Sequence, residues 1–209
     1  MKVSQNWLKS LVEINTTPDD LSEKLSIGGF EVESLVDCSE NVKGIVLGKV
    51  LSVVKHENSD KLSICSVDIG RSHPLQIICG AKNVKKNIYV YVATIGAHLS
   101  AINLTIKKSE IRGVISEGMI CSLEELGIED SSEGIAIINE DIALKHKLGT
   151  PGAELLDLND YIYDLAITAN RPDGMSVVGI AREISALLEA NLTFPELTTK
   201  YQINVNNKF

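Results

Sequence analysis

The chain has no apolar run approaching the roughly 18 residues that a membrane-spanning helix needs. Its first ten residues, MKVSQNWLKS, also lack the apolar stretch of a secretory signal, so a cytoplasmic protein with no membrane partner is expected. The four cysteines, Cys38, Cys65, Cys79 and Cys121, form no C-x-x-C or C-x-x-H pair, which argues against a zinc or disulfide framework. Cys65 and Cys79 sit in the apolar runs LSICSV and LQIICG, where a free thiol acts as a small buried hydrophobe. No G-x-x-x-x-G-K motif is present to cradle a nucleotide phosphate. His56, His73, His98 and His146 lie scattered, without an acidic or nucleophilic partner nearby in sequence. Neither a catalytic residue nor a metal ligand is therefore expected. Asp60 reads as a turn former rather than a base.

What is present fits a folded globular protein: 209 residues, 44% hydrophobic and 23% charged. The net charge of −8 at first disfavours a polyanionic partner, which needs lysine and arginine for phosphate neutralisation. The distribution reverses that impression. Residues 43–112 hold eleven Lys and Arg against four Asp and Glu, a local +7, whereas residues 113–150 hold two against eight, a local −6. A basic half can steer a polyanion on an acidic chain, because exposed charges beyond ~10 Å are largely screened at about 0.1 M salt.

The first 36 residues read as helix, helix, strand. NWLKSLVEI places Trp7, Leu8, Leu11 and Val12 on one helical stripe. Thr17-Pro18-Asp19-Asp20 supplies a cap, an early proline and early acids for a second helix that Gly28-Gly29 ends. FEVESLV alternates as a half-buried strand does. From Val42 to Gly149 the pattern becomes short runs rich in Ile and Val, broken by turn residues. Five or six strands at this spacing, with one short helix at SLEELG, predict a closed or partly closed antiparallel barrel. No helical segment is long enough for βαβ crossovers. After Pro151 the sequence predicts a strand at DLAIT, a loop at NRPDGM and a helix over SVVGIAREISALLEA. The two helical ends are each too small to stand alone, so they are expected to pack together with the barrel inserted between them.

Six segments, HENSDKL, VDIG, QIICGAKNV, ATIGAHL, KKSEIRGVISEGMICSLEELGI and GT, resemble in order the tRNA-binding OB-fold module of aminoacylation-associated proteins. The flanks NWLKSLVEI, IGGFEVES and NRPDGMSVVGIAREISALL resemble the N-terminal region of the family of bacterial-type phenylalanyl-tRNA synthetase beta subunits. The resemblance implies an α+β chain with an OB-fold β-barrel in a small discontinuous, mainly helical domain. The expected boundaries are 1–39 for the first helical part, 40–150 for the barrel, 151–195 for the second helical part, and 196–209 for a linker or a further domain. It also implies an α2β2 ligase that joins phenylalanine to its tRNA with ATP and magnesium, an alpha subunit as partner, and catalytic and editing sites outside these residues. No cofactor is expected in this fragment and no DNA partner. The module usually carries His-Pro-x-Ala-Asp-Lys-Leu; here Glu57 and Ser59 replace the proline and alanine, and the added acid weakens the field of Lys55 and Lys61.

RNA contact is expected from Lys55, Lys61, Lys82, Asn83, Lys85, Lys107, Lys108 and Arg112. CGAKNVKKN reads either as a strand end delivering Lys82 and Asn83 to an RNA backbone or as a tight turn with solvated lysines. Lys107, Lys108 and Arg112 alternate so that at least two share a strand face, Gly113 and Gly118 allow a bulge at a barrel corner, and Met119 and Cys121 turn inward. Stacking platforms are scarce, with Tyr89 and Tyr91 on one strand face, which favours a folded RNA read through backbone and shape. Those tyrosines also fit barrel packing. A scaffold for subunit and domain packing, with little RNA contact, is the alternative.

Overall fold

The computed structural model describes residues 1–194. The expected linker or further domain at 196–209 lies outside the described residues. The chain divides into two compact units, one made of residues 1–36 with the chain from Tyr161 onward, the other of residues 37–160.

Ser4 ends β1 (Lys2–Ser4) and caps α1 (Gln5–Lys9), its hydroxyl accepting the Trp7 N–H at 3.1 Å. Periodicity alone extends this helix through Ile14 and buries Trp7; instead it ends at Lys9 and Trp7 is 59% exposed. Leu11 and Val12 stay buried in the turn that follows, where their N–H groups donate to Leu8 O, the Thr193 N–H donates to Leu11 O at 2.7 Å and Val12 bridges Leu192. The second helix, α2 (Pro18–Ile27), follows its local signals: Thr17 Oγ1 accepts the Asp20 N–H at 3.2 Å, and Leu21 and Leu25 are buried. β2 (Glu31–Asp37) follows.

The second unit is the barrel. Its strands are β3 (Ile45–Lys55), β4 (Ser63–Asp68), β5 (Leu75–Cys79), β6 (Tyr89–Thr94), β7 (His98–Leu99), β8 (Leu104–Thr105), β9 (Ser109–Ile111), β10 (Val114–Ser116), β11 (Gly118–Ile120) and β12 (Ile137–Ile138). Six of them form one antiparallel sheet in the order β11-β6-β3-β4-β5, with β12 also on β6. β3 is long enough to serve two partners. Its first half pairs β6, its second half pairs β4, and the register shift between Val50 and Ser52 bends it from one to the other. β5 and β11 do not join by a ladder. The Gln76 Nε2 donates to Ile115 O at 2.8 Å, the Glu117 N–H to Gln76 O at 2.8 Å, and the Ile78 N–H to Ser116 Oγ at 3.1 Å, so a buried serine hydroxyl stands in for a strand partner where the barrel closes.

β6 explains the two layers of core. Val90 and Val92 face the barrel interior with Val50, Cys65, Val67, Ile77 and Ile120. On its other face Tyr89, Tyr91 and Ala93 pack with Ile45, Leu47, Leu99, Cys121 and Leu126. Both faces are buried, hence the continuous apolar run YVYVA in place of alternation. The tyrosines are thus packing residues, 7% and 8% exposed.

SLEELG makes one helical turn and no more. The Ser122 N–H donates to Glu125 Oε2 at 2.7 Å and the Glu125 N–H returns to Ser122 Oγ at 3.1 Å, a reciprocal cap that Gly127 terminates. The short helices α3 (Glu140–Ala143) and α4 (Gly152–Leu155) also belong to the barrel unit, α4 bringing Gly152 against Ile45.

The chain then returns to the first unit as β13 (Tyr161–Ala166), which lies between β1 and β2 in a three-stranded sheet, and α5 (Val177–Leu188). Ser176 Oγ caps α5 through the Gly179 N–H at 3.0 Å. Ile180, Ala181 and Ile184 are buried with Leu8, Leu21, Phe30 and Tyr163. Arg171 locks the NRPDGM loop: its guanidinium lies 4.1 Å from the Phe30 ring centroid, donates to Gly28 O at 2.9 Å, and pairs with Asp173 at 3.0 Å and Glu183 at 2.7 Å.

Gly48 on β3 faces the interior of the barrel, where a Cβ would lie 2.5 Å from Val92 Cγ2 and 3.0 Å from Val67 Cγ1. A Gly48→Ala variant is expected to lose about 1–3 kcal/mol of stability by overpacking, read as a lower midpoint in urea; an unchanged midpoint would show that the interior has spare room.

Candidate nucleic-acid interface

Two basic segments flank β4. Lys55 ends β3, and the turn from His56 to Leu62 carries Lys61 into β4; both lysines are exposed. After β5 the chain passes through Gly80 and Ala81, whose small side chains leave the backbone open, and then through exposed Lys82, Lys85 and Lys86. Lys55, Lys61 and Lys82 line one cleft of 430 Å³ over Leu62, Gly80 and Ala81.

That cleft is one end of a trough. Gly80 and Ala81 are shared with a hollow of 520 Å³ whose walls include Ile102, Met119, Glu124 and Glu125. Ile78 and Met119 are shared in turn with one of 300 Å³ that ends at Lys107 and Ser109. These hollows pass β5 and β11 with Lys55, Asp60, Lys61 and Lys82 lining the first, Glu124 and Glu125 the second and Lys107 the third, so cations and carboxylates alternate along an otherwise largely apolar surface.

The sequence-expected cations divide into two kinds. Lys61, Lys82, Lys85 and Lys107 are exposed and make no ion pair among the described residues. The others are engaged. Lys55 Nζ lies 2.6 Å from Asp60 Oδ1, and Lys108 Nζ lies 3.1 Å from Glu117 Oε1 and holds that carboxyl below its ordinary range. Both pairs are exposed, where such a bridge is worth no more than about 1 kcal/mol, so an arriving phosphate can compete for the lysine. Asn83 is engaged by the fold: its Nδ2 donates to Ile135 O at 2.9 Å and its Oδ1 accepts the Ile135 N–H at 3.1 Å. The side chain offered as a base or sugar contact instead pins the loop to the segment before β12.

Lys107, Lys108 and Arg112 do not share a strand face, because β9 begins only at Ser109 and Arg112 sits in the turn to β10. Arg112 and Gly113 take φ of 51° and 89°, the positive values that a two-residue type I′ turn requires between Ile111 and Val114. Gly118 starts β11, where a Cβ would lie 2.8 Å from Ala93 O. Cys121 is buried, while Met119 is half-buried and floors the trough.

Sequence reasoning missed the contacts that hold the two basic loops together. His56 is 2% exposed; its Nδ1 accepts the Asn58 N–H at 3.0 Å and its Nε2 reaches Ile111 O at 3.3 Å, 55 residues away. Arg112 Nη1 donates to Asn58 O at 3.0 Å, and Asn58 Nδ2 lies 3.4 Å from Arg112 O. Nothing in a linear reading links position 56 to 111. The only available signal was a histidine followed two residues later by an asparagine, a common turn pattern.

All four cysteines are free. Burial pushes the Cys65 and Cys121 thiols up to about 12 and raises Cys79 as well. Among the described residues no three His, Cys, Asp or Glu side chains gather as a metal site, and no described helix is long and apolar enough to cross a membrane.

Residues 45–147 match the family described as "Putative tRNA binding domain". Over all 209 residues the chain is 88% identical to a phenylalanine–tRNA ligase beta subunit of Prochlorococcus marinus subspecies pastoris, covering 100% of this chain and 26% of that one. It is 56% identical over 205 residues to the beta subunit of another Prochlorococcus marinus strain, covering 98% of this chain and 25% of the relative. A Synechococcus beta subunit is 55% identical over 197 residues, covering 94% and 24%. The chain thus spans about a quarter of the length of the curated relatives it matches.

Burial raises the Cys65, Cys79 and Cys121 thiols, and burial together with Asp160 and Asp37 raises Cys38 too, so access decides the order: iodoacetamide is expected to modify the half-buried Cys38 slowly and to spare the three buried thiols until denaturant is added. Mass spectrometry of the labelled chain checks this; equal labelling of all four without denaturant would contradict the buried core thiols.

Proposed function

We propose that this chain, similar along its length to phenylalanine–tRNA ligase beta subunits, is part of one, and that its barrel grips folded tRNA through the phosphate backbone while the charging of that tRNA with phenylalanine proceeds outside these residues. One observation carries the reading: three lysines, Lys55, Lys61 and Lys82, line a single cleft with Gly80 and Ala81 against one acid, Asp60, on a chain of net charge −8. Lys107 lines the third hollow, Lys85 follows Lys82 in the same exposed loop, and Lys108 becomes available when phosphate displaces Glu117.

The trough favours recognition of shape over unpaired bases. Single-strand OB-folds bind by stacking bases on aromatic rings, whereas here Tyr89 and Tyr91 are buried in the core and the trough is lined by Ile, Met, Gly and Ala. Phosphate contacts position an RNA without reading its sequence, so this barrel contributes affinity and orientation. Discrimination among tRNAs then falls to the rest of the enzyme.

The wider assignment follows from the family. The full enzyme is an α2β2 ligase of the cytoplasm that uses ATP and magnesium, with the alpha subunit as partner of the full beta chain. A second reading draws on Asn83, Lys55 and Lys108 being tied within the barrel: the barrel then serves mainly as a scaffold for subunit and domain packing.

Salt separates the two. If tRNA is held through n phosphates, log affinity falls against log salt with a slope of roughly −0.7n to −0.9n. Titrating the chain with folded tRNA at three salt concentrations is expected to give such a slope, and Lys82→Ala is expected to reduce it by about one phosphate contact. A flat response, or no binding at low salt, would favour the scaffold.

A further inference from the structure

We infer that His56 and Arg112 are positioning residues: they clasp the turn after β3 to the β9–β10 hairpin, and so hold the cationic side chains of both segments in one fixed array for the RNA backbone. The inference rests on the proposed tRNA-binding role of the trough.

Backbone strain marks the junction. In a two-residue turn with positive φ at both positions, asparagine or glycine is favoured first and glycine second. Gly113 suits its place, with φ 89° and open space around its Cα. Arg112 does not, because a long side chain at φ 51° is disfavoured. Such a residue persists where its surroundings over-determine it. At Arg112 the surroundings are Asn58: the guanidinium donates to Asn58 O at 3.0 Å, while the Arg112 carbonyl lies 3.4 Å from the Asn58 amide. The contact is reciprocal and joins residues 54 apart in sequence.

His56 secures the same junction from beneath. Because its Nδ1 accepts the Asn58 N–H, the proton is assigned to Nε2, which donates to Ile111 O. One neutral, buried imidazole thereby satisfies a backbone donor of the turn and a backbone acceptor of the hairpin. Lys55 and Lys61 flank the turn from one side, and Lys107 and Lys108 lead into the hairpin from the other. A free turn and a free hairpin would each lose conformational freedom when RNA binds; joined in advance, they lose less. Asn58 O holds one guanidinium nitrogen of Arg112, and it is this contact that assigns the residue its positioning role.

Charge and geometry leave different signatures. Losing a phosphate contact changes the salt slope, whereas losing order lowers affinity equally at every salt concentration. Three variants of the chain, His56→Ala, Arg112→Asn and Lys82→Ala, are to be titrated with folded tRNA at three salt concentrations, with amide exchange measured without RNA. Arg112→Asn places a residue favoured at positive φ in the turn, so it is expected to keep the melting temperature while weakening binding about tenfold with an unchanged slope. His56→Ala is expected to do the same to binding and to speed amide exchange in residues 57–62 and 111–113 together. Should His56→Ala fail to fold, Arg112→Asn alone decides. A slope reduced by one contact in Arg112→Asn would make Arg112 a phosphate ligand and overturn the inference. So would unchanged affinity and exchange in both variants while Lys82→Ala still weakens binding. If the unaltered chain does not bind tRNA, the RNA reading fails, and the exchange data still report whether the clasp exists.

Discussion

The burial of β6 on both faces is the constraint from which the rest of the barrel follows. Val90 and Val92 need the barrel interior, and Tyr89, Tyr91 and Ala93 need a second apolar layer outside it. Neither face can be exposed to water without losing roughly 1.5–3 kcal/mol for each large side chain. The chain supplies the outer layer from residues 97–106, 121–126 and 136–158, segments too short and irregular to fold alone. This is why so much of the unit is loop and short strand, yet ordered: each loop is anchored by an apolar residue that β6 requires. The same demand moves both tyrosines into the core and removes the stacking surface on which a single-stranded ligand would depend.

Barrel closure also shapes the functional surface. β5 meets β10 and β11 through a glutamine side chain, a serine hydroxyl and one backbone bond instead of a regular ladder. An incomplete seam leaves a trough, and the glycine and alanine that follow β5 keep it open. A chain of net negative charge thus presents a concave region that mixes the two signs, with Lys55, Lys61 and Lys82 beside Asp60 in one hollow and Glu124 and Glu125 in the next.

Much of this was legible in order. Thr17 as a cap, Pro18 in the first turn, Ser176 as the cap of α5, and the alternating and continuous apolar runs of the strands all depend on residues within a few positions of one another, and each appears where local chemistry predicts. α1 and SLEELG were over-read for the same reason. Their periodicity is helical, but Leu11 and Val12 gain more by meeting Leu192 and Thr193, and Gly127 halts the turn at Ser122 after one cycle. Charge alone could not separate the exposed Lys61, Lys82, Lys85 and Lys107, which make no ion pair among the described residues, from Lys55 and Lys108, which do. Nor could Asn83 be judged so, because its partner, Ile135, is 52 residues distant.

The amino-acid sequence by itself determined the kind of protein: barrel strands between two helical ends, the basic and acidic segments, and the resemblance to a tRNA-binding module. Hydrophobic periodicity, caps and local charge act over a few residues and therefore survive in a linear string. Tertiary structure alone decided which cations are free and which are tied, that the tyrosines face inward, and that His56 and Arg112 join two distant loops. Those outcomes depend on hydrogen bonds and ion pairs shorter than 4 Å between residues far apart in the chain, and only folding to a single packed arrangement selects among the many partners that each side chain could have had.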